Sequence, residues 1–348
     1  MDISNIKRIL IIRTDRIGDV VLSTPVITAV RSFFPDAYIA IMVSSETRDI
    51  VVKNPYLNEV IVYDKKIRHR GVFQTLDFIR WLKTKRFDLA LILHSTNRVN
   101  FISFLSGIPK RVGYARGKMD FLLTHRLEYK KRLGEKHESE YSLDVVRALG
   151  ISTGTPPLIM PVGKDDEENI DNLLKESGLK EGQKFIVIHP GASCISKMWP
   201  RENFAKLADE LIENFKVRIA LVSSREQVEI GECVRSLMGK EPLFLCGRTS
   251  LGELLALFKK ASLFISNDSG PVHIASAAGV PVISIFGRNE SGLSPVRWRP
   301  LGGRSVAIHK EVGCIKCDAH NCKKGFLCLK SITVEEVIEK AGQLLEVA

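Results

Sequence analysis

The stretch from Ser262 to Gly287 constrains the fold more than any other part of the chain. It reads Ser-Leu-Phe-Ile-Ser-Asn-Asp-Ser-Gly-Pro-Val-His-Ile-Ala-Ser-Ala-Ala-Gly-Val-Pro-Val-Ile-Ser-Ile-Phe-Gly. Leu263 to Ile265 form a buried strand, and Asn267, Asp268, Ser269 and Gly270 a polar elbow. A small-residue helix follows, then a second buried strand from Val280 to Phe286. Pro271 stands in the first helical turn, where a residue without an N–H is tolerated. Such an elbow aims backbone N–H groups and a positive helix end at one point, which suits an anionic group such as phosphate. The expectation is a phosphate or nucleotide site at the carboxyl edge of a parallel sheet.

The same alternation runs through the rest of the chain. Residues 7–12, Tyr38 to Val43, Val60 to Tyr63, Leu89 to Leu93 and Arg111 to Tyr114 read as strands. Helical spacing falls between them. One helix runs on from about Asp19 to Phe34. Another covers residues 72–85, with Phe73, Leu76, Ile79 and Leu82 on one face, and two more cover residues 97–106 and Gly134 to Gly150. The run Ser152-Thr153-Gly154-Thr155-Pro156-Pro157 marks a boundary. The pattern then restarts, with strands at Phe185 to His189, Val217 to Val222 and Leu243 to Leu245. Helices fall at Pro200 to Phe215, Glu226 to Met238 and Leu251 to Ala261. A last helix, Thr333 to Leu345, opens on a capping box of Thr333 and Glu336. The predicted class is α/β, with two domains at residues 1–155 and 156–332. Residues 333–348 form a terminal helix able to pack back across either.

Charge is unevenly placed. Residues 1–150 hold 26 Lys and Arg against 16 Asp and Glu, whereas the remainder holds 25 against 24. A basic half facing an acidic partner fits a phosphorylated glycolipid, a membrane surface or a nucleic acid. No aromatic-interleaved basic motif or reading helix supports the nucleic acid. No apolar run approaches the ~20 residues of a membrane span. Ile9 to Ile12, followed by Arg13, Asp15, Arg16 and Asp19, is too short for a secretory signal. The expectation is a cytoplasmic protein with peripheral membrane contact. Cys314, Cys317, Cys322 and Cys328 cluster near the end. Their spacing is a poor zinc-ribbon match, so a structural loop ranks ahead of zinc, and zinc ahead of catalysis.

Three constellations carry candidate chemistry. The loop Arg13-Thr14-Asp15-Arg16-Ile17-Gly18-Asp19 follows the first strand, where Asp19 could take a proton from a sugar hydroxyl. The competing reading makes Asp19 the cap of a helix starting near Val20. Asp15, with arginines on both sides, reads as an ion pair. The second constellation is His189-Pro190-Gly191-Ala192-Ser193, with Ser196-Lys197-Met198-Trp199-Pro200 beyond it. There Ser193 could hold phosphate oxygens, and Lys197 could meet a leaving diphosphate. The third is the opening elbow. Ser269 and Gly270 would donate N–H groups, Asp268 would hold a hydroxyl or cap the helix, and His273 would lie one turn inside. A Walker-type Gly-Lys-Ser/Thr and a Gly-x-Gly-x-x-Gly after the first strand are both missing from the sequence.

Taken in order, these segments resemble glycosyltransferase family 9, the lipopolysaccharide heptosyltransferases. Ile17 to Pro25, Arg111 to Tyr114, His189 to Ser193, Lys197 to Pro200, Ser266 to His273 and the cysteine-rich tail carry the resemblance. The tail looks most like that of the subfamily adding the second heptose. The resemblance implies a GT-B fold, two Rossmann-like domains facing across a cleft. It also implies metal-independent, inverting transfer from ADP-heptose to a phosphorylated lipopolysaccharide-core acceptor, with no cofactor. Asp19 matches the family's base. Lys197, Asp268, Ser269, Gly270 and His273 match its donor site, joined by Ser193 and, more loosely, by Glu226 as a ribose partner. Arg13, Gly18 and His137 fall to the acceptor. Another nucleotide sugar, or a binder without turnover, are the alternatives.

Overall fold

The computed structural model describes residues 2–346. The chain forms two compact units. The first comprises residues up to Arg132 together with Lys136–Pro161, and the second comprises Leu133–Glu135 and the residues from Val162 onward. The turn-rich run at 152–157 therefore belongs to the first unit. Its backbone is tied there: Arg147 Nη2 donates to the Thr153 carbonyl at 3.2 Å, and the Ile159 N–H to Thr24 Oγ1 at 3.1 Å.

The first unit is a six-stranded parallel sheet. Its strands are β1 Arg8–Arg13, β2 Tyr38–Val43, β3 Glu59–Val62, β4 Leu89–Ile92, β5 Lys110–Ala115 and β6 His125–Glu128. The second sheet is built from β7 Phe185–His189, β8 Arg218–Leu221, β9 Leu243–Phe244, β10 Leu263–Asn267, β11 Val282–Phe286 and β12 Ser305–His309. The spatial orders are β3-β2-β1-β4-β5-β6 and β12-β11-β10-β7-β8-β9. Counted from each unit's first strand, the two orders are the same, and it is the order of doubly wound dinucleotide folds. All the pairings are parallel, with Ile9 opposite Leu89 in one sheet and Ile265 opposite Ile188 in the other. The expected α/β class of the GT-B type holds in each half.

Central strands are buried on both faces, which explains their unbroken apolar runs. In the first unit Leu10, Ile12, Ala90 and Ile92 pack with Ile79, Leu82 and Ile102 of covering helices. In the second, Ile186, Ile188, Ile265 and Ile283 pack with Phe204, Leu207 and Leu211. The final helix, Val334–Glu346, places Val337 and Ala341 in this same core. Its capping box forms as expected, with the Thr333 N–H 3.1 Å from Glu336 Oε2 and the Glu336 N–H 3.2 Å from Thr333 Oγ1. Among the described residues no helix is long and apolar enough to cross a membrane.

Several boundaries differ from the sequence reading for identifiable reasons. The single helix expected through Phe34 is two, Ile17–Val21 and Thr24–Phe33. Pro25 lacks the N–H that would have bonded the Val21 carbonyl, and the Thr24 hydroxyl takes that carbonyl at 2.8 Å instead. The helix at Val72–Thr84 buries Phe78, Ile79 and Leu82, but Phe73, expected on the same face, is turned to solvent. The helix Lys164–Glu176 was not visible in the sequence because only Ile170 and Leu174 of its thirteen residues are buried. β6 and β12 were missed as half-exposed edge strands. Cys314, Cys317, Cys322 and Cys328 are free thiols lining one cavity of about 490 Å³. Among the described residues no three His, Cys, Asp or Glu side chains converge in a metal-binding arrangement.

Candidate functional site

In a doubly wound sheet the crevice lies at the carboxyl ends of the two strands where the order reverses. Those strands are β1 and β4 in the first unit, and β7 and β10 in the second. Both edges carry the residues singled out from sequence.

At the first edge, Arg13 ends β1 and is buried. Its Nη1 donates to the Leu93 carbonyl beyond β4 at 3.2 Å. Its Nε lies 2.9 Å from Asp15 Oδ1, and its Nη2 lies 2.5 Å from Asp19 Oδ1 and 3.0 Å from Glu138 Oε1. Lys131 Nζ reaches the same Glu138 oxygen at 2.7 Å. Three carboxylates thus face two cations. The excess of acid raises the cluster's affinity for a proton. Asp19 is pushed up to about 6 by burial first and by the neighbouring Asp15 second, against the pull of Arg13. Asp15 is raised as well, again by burial first. His94, 3.8 Å from Asp15 Oδ2, is held down at about 4 by burial and by Arg13, and is therefore neutral.

The capping reading of Asp19 does not hold. The helix begins at Ile17, its N-cap is Arg16 with no side-chain cap bond, and Asp19 sits in the first turn facing Arg13. Gly18 is buried in that short helix, and its carbonyl accepts the Leu22 N–H. Asp15 forms the ion pair read from its flanking arginines. His137 is the N-cap of the helix Glu138–Arg147, with Nδ1 3.3 Å from the Ser139 N–H and 2.9 Å from Ser139 Oγ. Its neighbour Glu138 enters the charge cluster. Glu138, Lys131 and His94 were not picked out as site residues, because chain segments far apart in sequence bring them to Arg13.

At the second edge, His189 ends β7 and Ser266 lies in β10, with His189 Nδ1 3.0 Å from Ser266 Oγ. Ser269 Oγ is 3.0 Å from Ser266 Oγ. Burial holds His189 at about 4, so its ring is neutral. Asn267 ties the two elbows together. Its Nδ2 donates to the Pro190 carbonyl at 2.7 Å, and its Oδ1 accepts the Trp199 N–H at 2.9 Å. Lys197 Nζ lies 2.6 Å from Asp268 Oδ2. The N-cap of the helix Gly270–Ala278 is Ser269, not Asp268, which leaves Asp268 to Lys197. The N-terminal turn of that helix presents its amides beside a lysine, an arrangement that receives anionic oxygens. Gly279 closes the helix at a positive φ of 78°, the conformation glycine favours.

The remaining expected residues have plain positions. Ser193 is exposed in the loop after β7, next to Cys194. Glu226 is exposed on the turn Arg225–Gln227 after β8, and its neighbour Gln227 donates to the Ala192 carbonyl at 2.8 Å. A Cβ on Gly191 would meet the tip of the Gln227 side chain, which would have to turn aside. His273 is buried in the helix Gly270–Ala278, with its ring 6.4 Å from that of Trp298. Arg288, just past β11, was missed. It is buried and donates to Ser196 Oγ at 3.1 Å beside Lys197.

Comparison with known proteins gives the family and the fold. The family model for glycosyltransferase family 9 (heptosyltransferase) matches residues 75–327. Lipopolysaccharide heptosyltransferase 3 of Escherichia coli (strain K12) is 30% identical over 342 residues, covering 94% of this chain and 95% of the relative. Lipopolysaccharide heptosyltransferase 2 of the same strain is 24% identical, covering 97% and 98%. The solved structure of E. coli ADP-heptose lps heptosyltransferase II superposes with a TM-score of 0.80 at 23% identity, covering 98% of this chain and all of that one. A family match over most of the chain and a relative at 30% identity along nearly its full length lead to one conclusion: the protein is a glycosyltransferase and belongs to glycosyltransferase family 9, the heptosyltransferases.

Proposed function

We propose that the protein transfers heptose from ADP-heptose to a hydroxyl of a phosphorylated lipopolysaccharide inner core, with inversion and without a metal ion. The Asp19 carboxylate accepts the proton of the acceptor hydroxyl as that oxygen bonds the anomeric carbon. The bond from that carbon to the diphosphate oxygen breaks at the same time, and ADP departs with the electron pair. Lys197 and the first-turn amides of the helix Gly270–Ala278 stabilise the charge gathering on the diphosphate. Asp268 orients Lys197, and Arg13 orients Asp19.

The observation that carries this reading is the Asp19 carboxylate, raised to about 6 at the switch-point edge of a family 9 chain. A base works best with a pKa near the operating pH. The relatives named for lipopolysaccharide heptosyl transfer support the sugar and the acceptor class. The test offers a panel of nucleotide sugars with a heptose-terminated core to the purified protein, and reads the product by mass spectrometry. Addition of one heptose with ADP release, unchanged by a chelator, is expected. Transfer of a different sugar, or loss of transfer on chelation, overturns the donor or the metal-free part.

Two further results are expected. For the free enzyme, kcat/KM rises with pH and levels off above about 6, because Asp19 is active only when deprotonated. A profile flat from pH 5 to 8 at about constant ionic strength argues against Asp19 as the base. Lys197→Met is expected to lower turnover by about 10²-fold and weaken ADP-heptose binding, since it removes the cation at the leaving group. Titration of ADP-heptose into both proteins checks the second part. We also place the reaction at the cytoplasmic face of a membrane, with the basic first unit as the contact. Washing membranes with moderate salt should release the protein.

A further inference from the structure

The segment from Asp64 to Phe73, a loop running into the first two residues of the helix Val72–Thr84, offers apolar side chains to solvent within and just after a basic run. Ile67, Val72 and Phe73 are 81%, 74% and 80% exposed. Lys65, Lys66, Arg68 and Arg70 flank Ile67 and precede Val72 and Phe73, all exposed. Asp64 is the single acid of these ten residues. Its carboxylate is turned onto the loop's own backbone, accepting from the Lys66 and Ile67 N–H groups at 2.9 and 3.0 Å. Nearby, Glu46 pairs with Lys66 at 2.7 Å, in an open salt bridge that water screens.

A slack loop would fold such side chains back onto the protein. This one is pinned at its base. His69 is buried, its ring lies 5.0 Å from that of Tyr63, and its Nδ1 accepts the Asp64 N–H at 3.0 Å. The Arg98 guanidinium bonds the His69 carbonyl, the Tyr63 hydroxyl at 2.5 Å and Thr75 Oγ1 at 2.8 Å. Thr75 Oγ1 in turn donates to the Gly71 carbonyl at 2.7 Å. His69, Asp64 and the backbone carbonyls thus hold the base of the segment, while its cations and apolar tips stay exposed. Those tips are absent from the hydrophobic core of the first unit, and Lys65 of the same segment lies near enough to the first edge to act on His94.

This combination matches one kind of partner. A soluble polyanion would engage the four cations and leave Ile67 and Phe73 without a use. An apolar protein groove would leave the cations stranded. An anionic bilayer takes both, with apolar side chains at the boundary of headgroups and acyl chains and Lys and Arg against the phosphates. We infer that the segment Asp64–Phe73 docks the protein on anionic membrane by inserting Ile67 of its loop and Val72 and Phe73 of the helix start. The inference rests on the peripheral-membrane part of the proposed function and names the surface responsible.

Sedimentation with sucrose-loaded phosphatidylcholine vesicles, roughly a third phosphatidylglycerol and at about 0.1 M salt, tests it. Ile67→Asp/Phe73→Asp is expected to raise the lipid concentration for half-binding at least about tenfold. Ile67→Ser/Phe73→Ser, which adds no charge, should shift it in the same direction. Lys65→Ser/Arg68→Ser/Arg70→Ser should cost about fivefold per lost charge and abolish the preference for anionic over neutral vesicles. Melting temperatures should match the parent, because the replaced side chains are on the surface. Parent and variants binding equally well would overturn the docking loop and leave the peripheral reading standing. A parent that fails to sediment with either vesicle would overturn both.

Discussion

Asp19→Asn is expected to lower kcat by about 10³-fold, within the range that a positioned general base supplies. The amide keeps the shape and can still accept a hydrogen bond from Arg13 Nη2, so the packing of the edge is preserved. The proton acceptor is what disappears. ADP-heptose affinity, measured by titration calorimetry, should stay within about twofold of the parent, because the change removes an interaction made only in the transition state. The residual rate should also lose its rise with pH through about 6, which belongs to the Asp19 carboxyl. Lost donor affinity with intact turnover at saturation would remove Asp19 from its proposed role and give it to donor binding.

The second large effect is on stability. Glu138 is buried and its Oε1 is shared by Arg13 and Lys131, themselves buried. Glu138→Ala leaves two guanidinium and ammonium charges of the interior short of their common carboxylate. Breaking a buried ion pair from one side costs about 3–5 kcal/mol. Urea unfolding followed by circular dichroism should show the transition of the first unit moved to lower urea. Glu138→Gln retains a carbonyl acceptor and should lose less. A change of under about 1 kcal/mol in Glu138→Ala would mean that Asp15 and Asp19 alone hold the two cations.

The fold was legible wherever an element is buried on both faces. β2 and β7 run over the expected residues, and the elbow at Asn267 to Gly270 joins a strand to a helix as read. Legibility failed where burial is partial, as for the edge strands β6 and β12 and the polar helix Lys164–Glu176. Asp19, Lys197 and Asp268 could be found because each stands in a short run beside the end of a strand. Glu138, Lys131, His94 and Arg288 could not. Nothing in the neighbourhood of Glu138 announces a partner 125 residues earlier in the chain, and Arg288 meets Ser196 from 92 residues away. Local pattern reveals which strand ends carry chemistry, whereas long-range charge matching needs the assembled sheet.

The strand order also sets a timetable for a chain emerging from the ribosome. β1 can pair with β2 about 30 residues further on, yet its other neighbour β4 comes about 80 residues later, and the Glu138 that meets Arg13 comes later still. Contacts so distant form slowly, and the open β4 side of an apolar strand is prone to stray association meanwhile. The guanidinium of Arg13 cannot enter the interior at acceptable cost before its carboxylates arrive. The nascent first unit therefore cannot bury the Arg13 end of β1 until the helix Glu138–Arg147 has been synthesised. Variants that delay that helix should show up first as lower yield of intact protein, before any loss of catalytic quality in the molecules that mature.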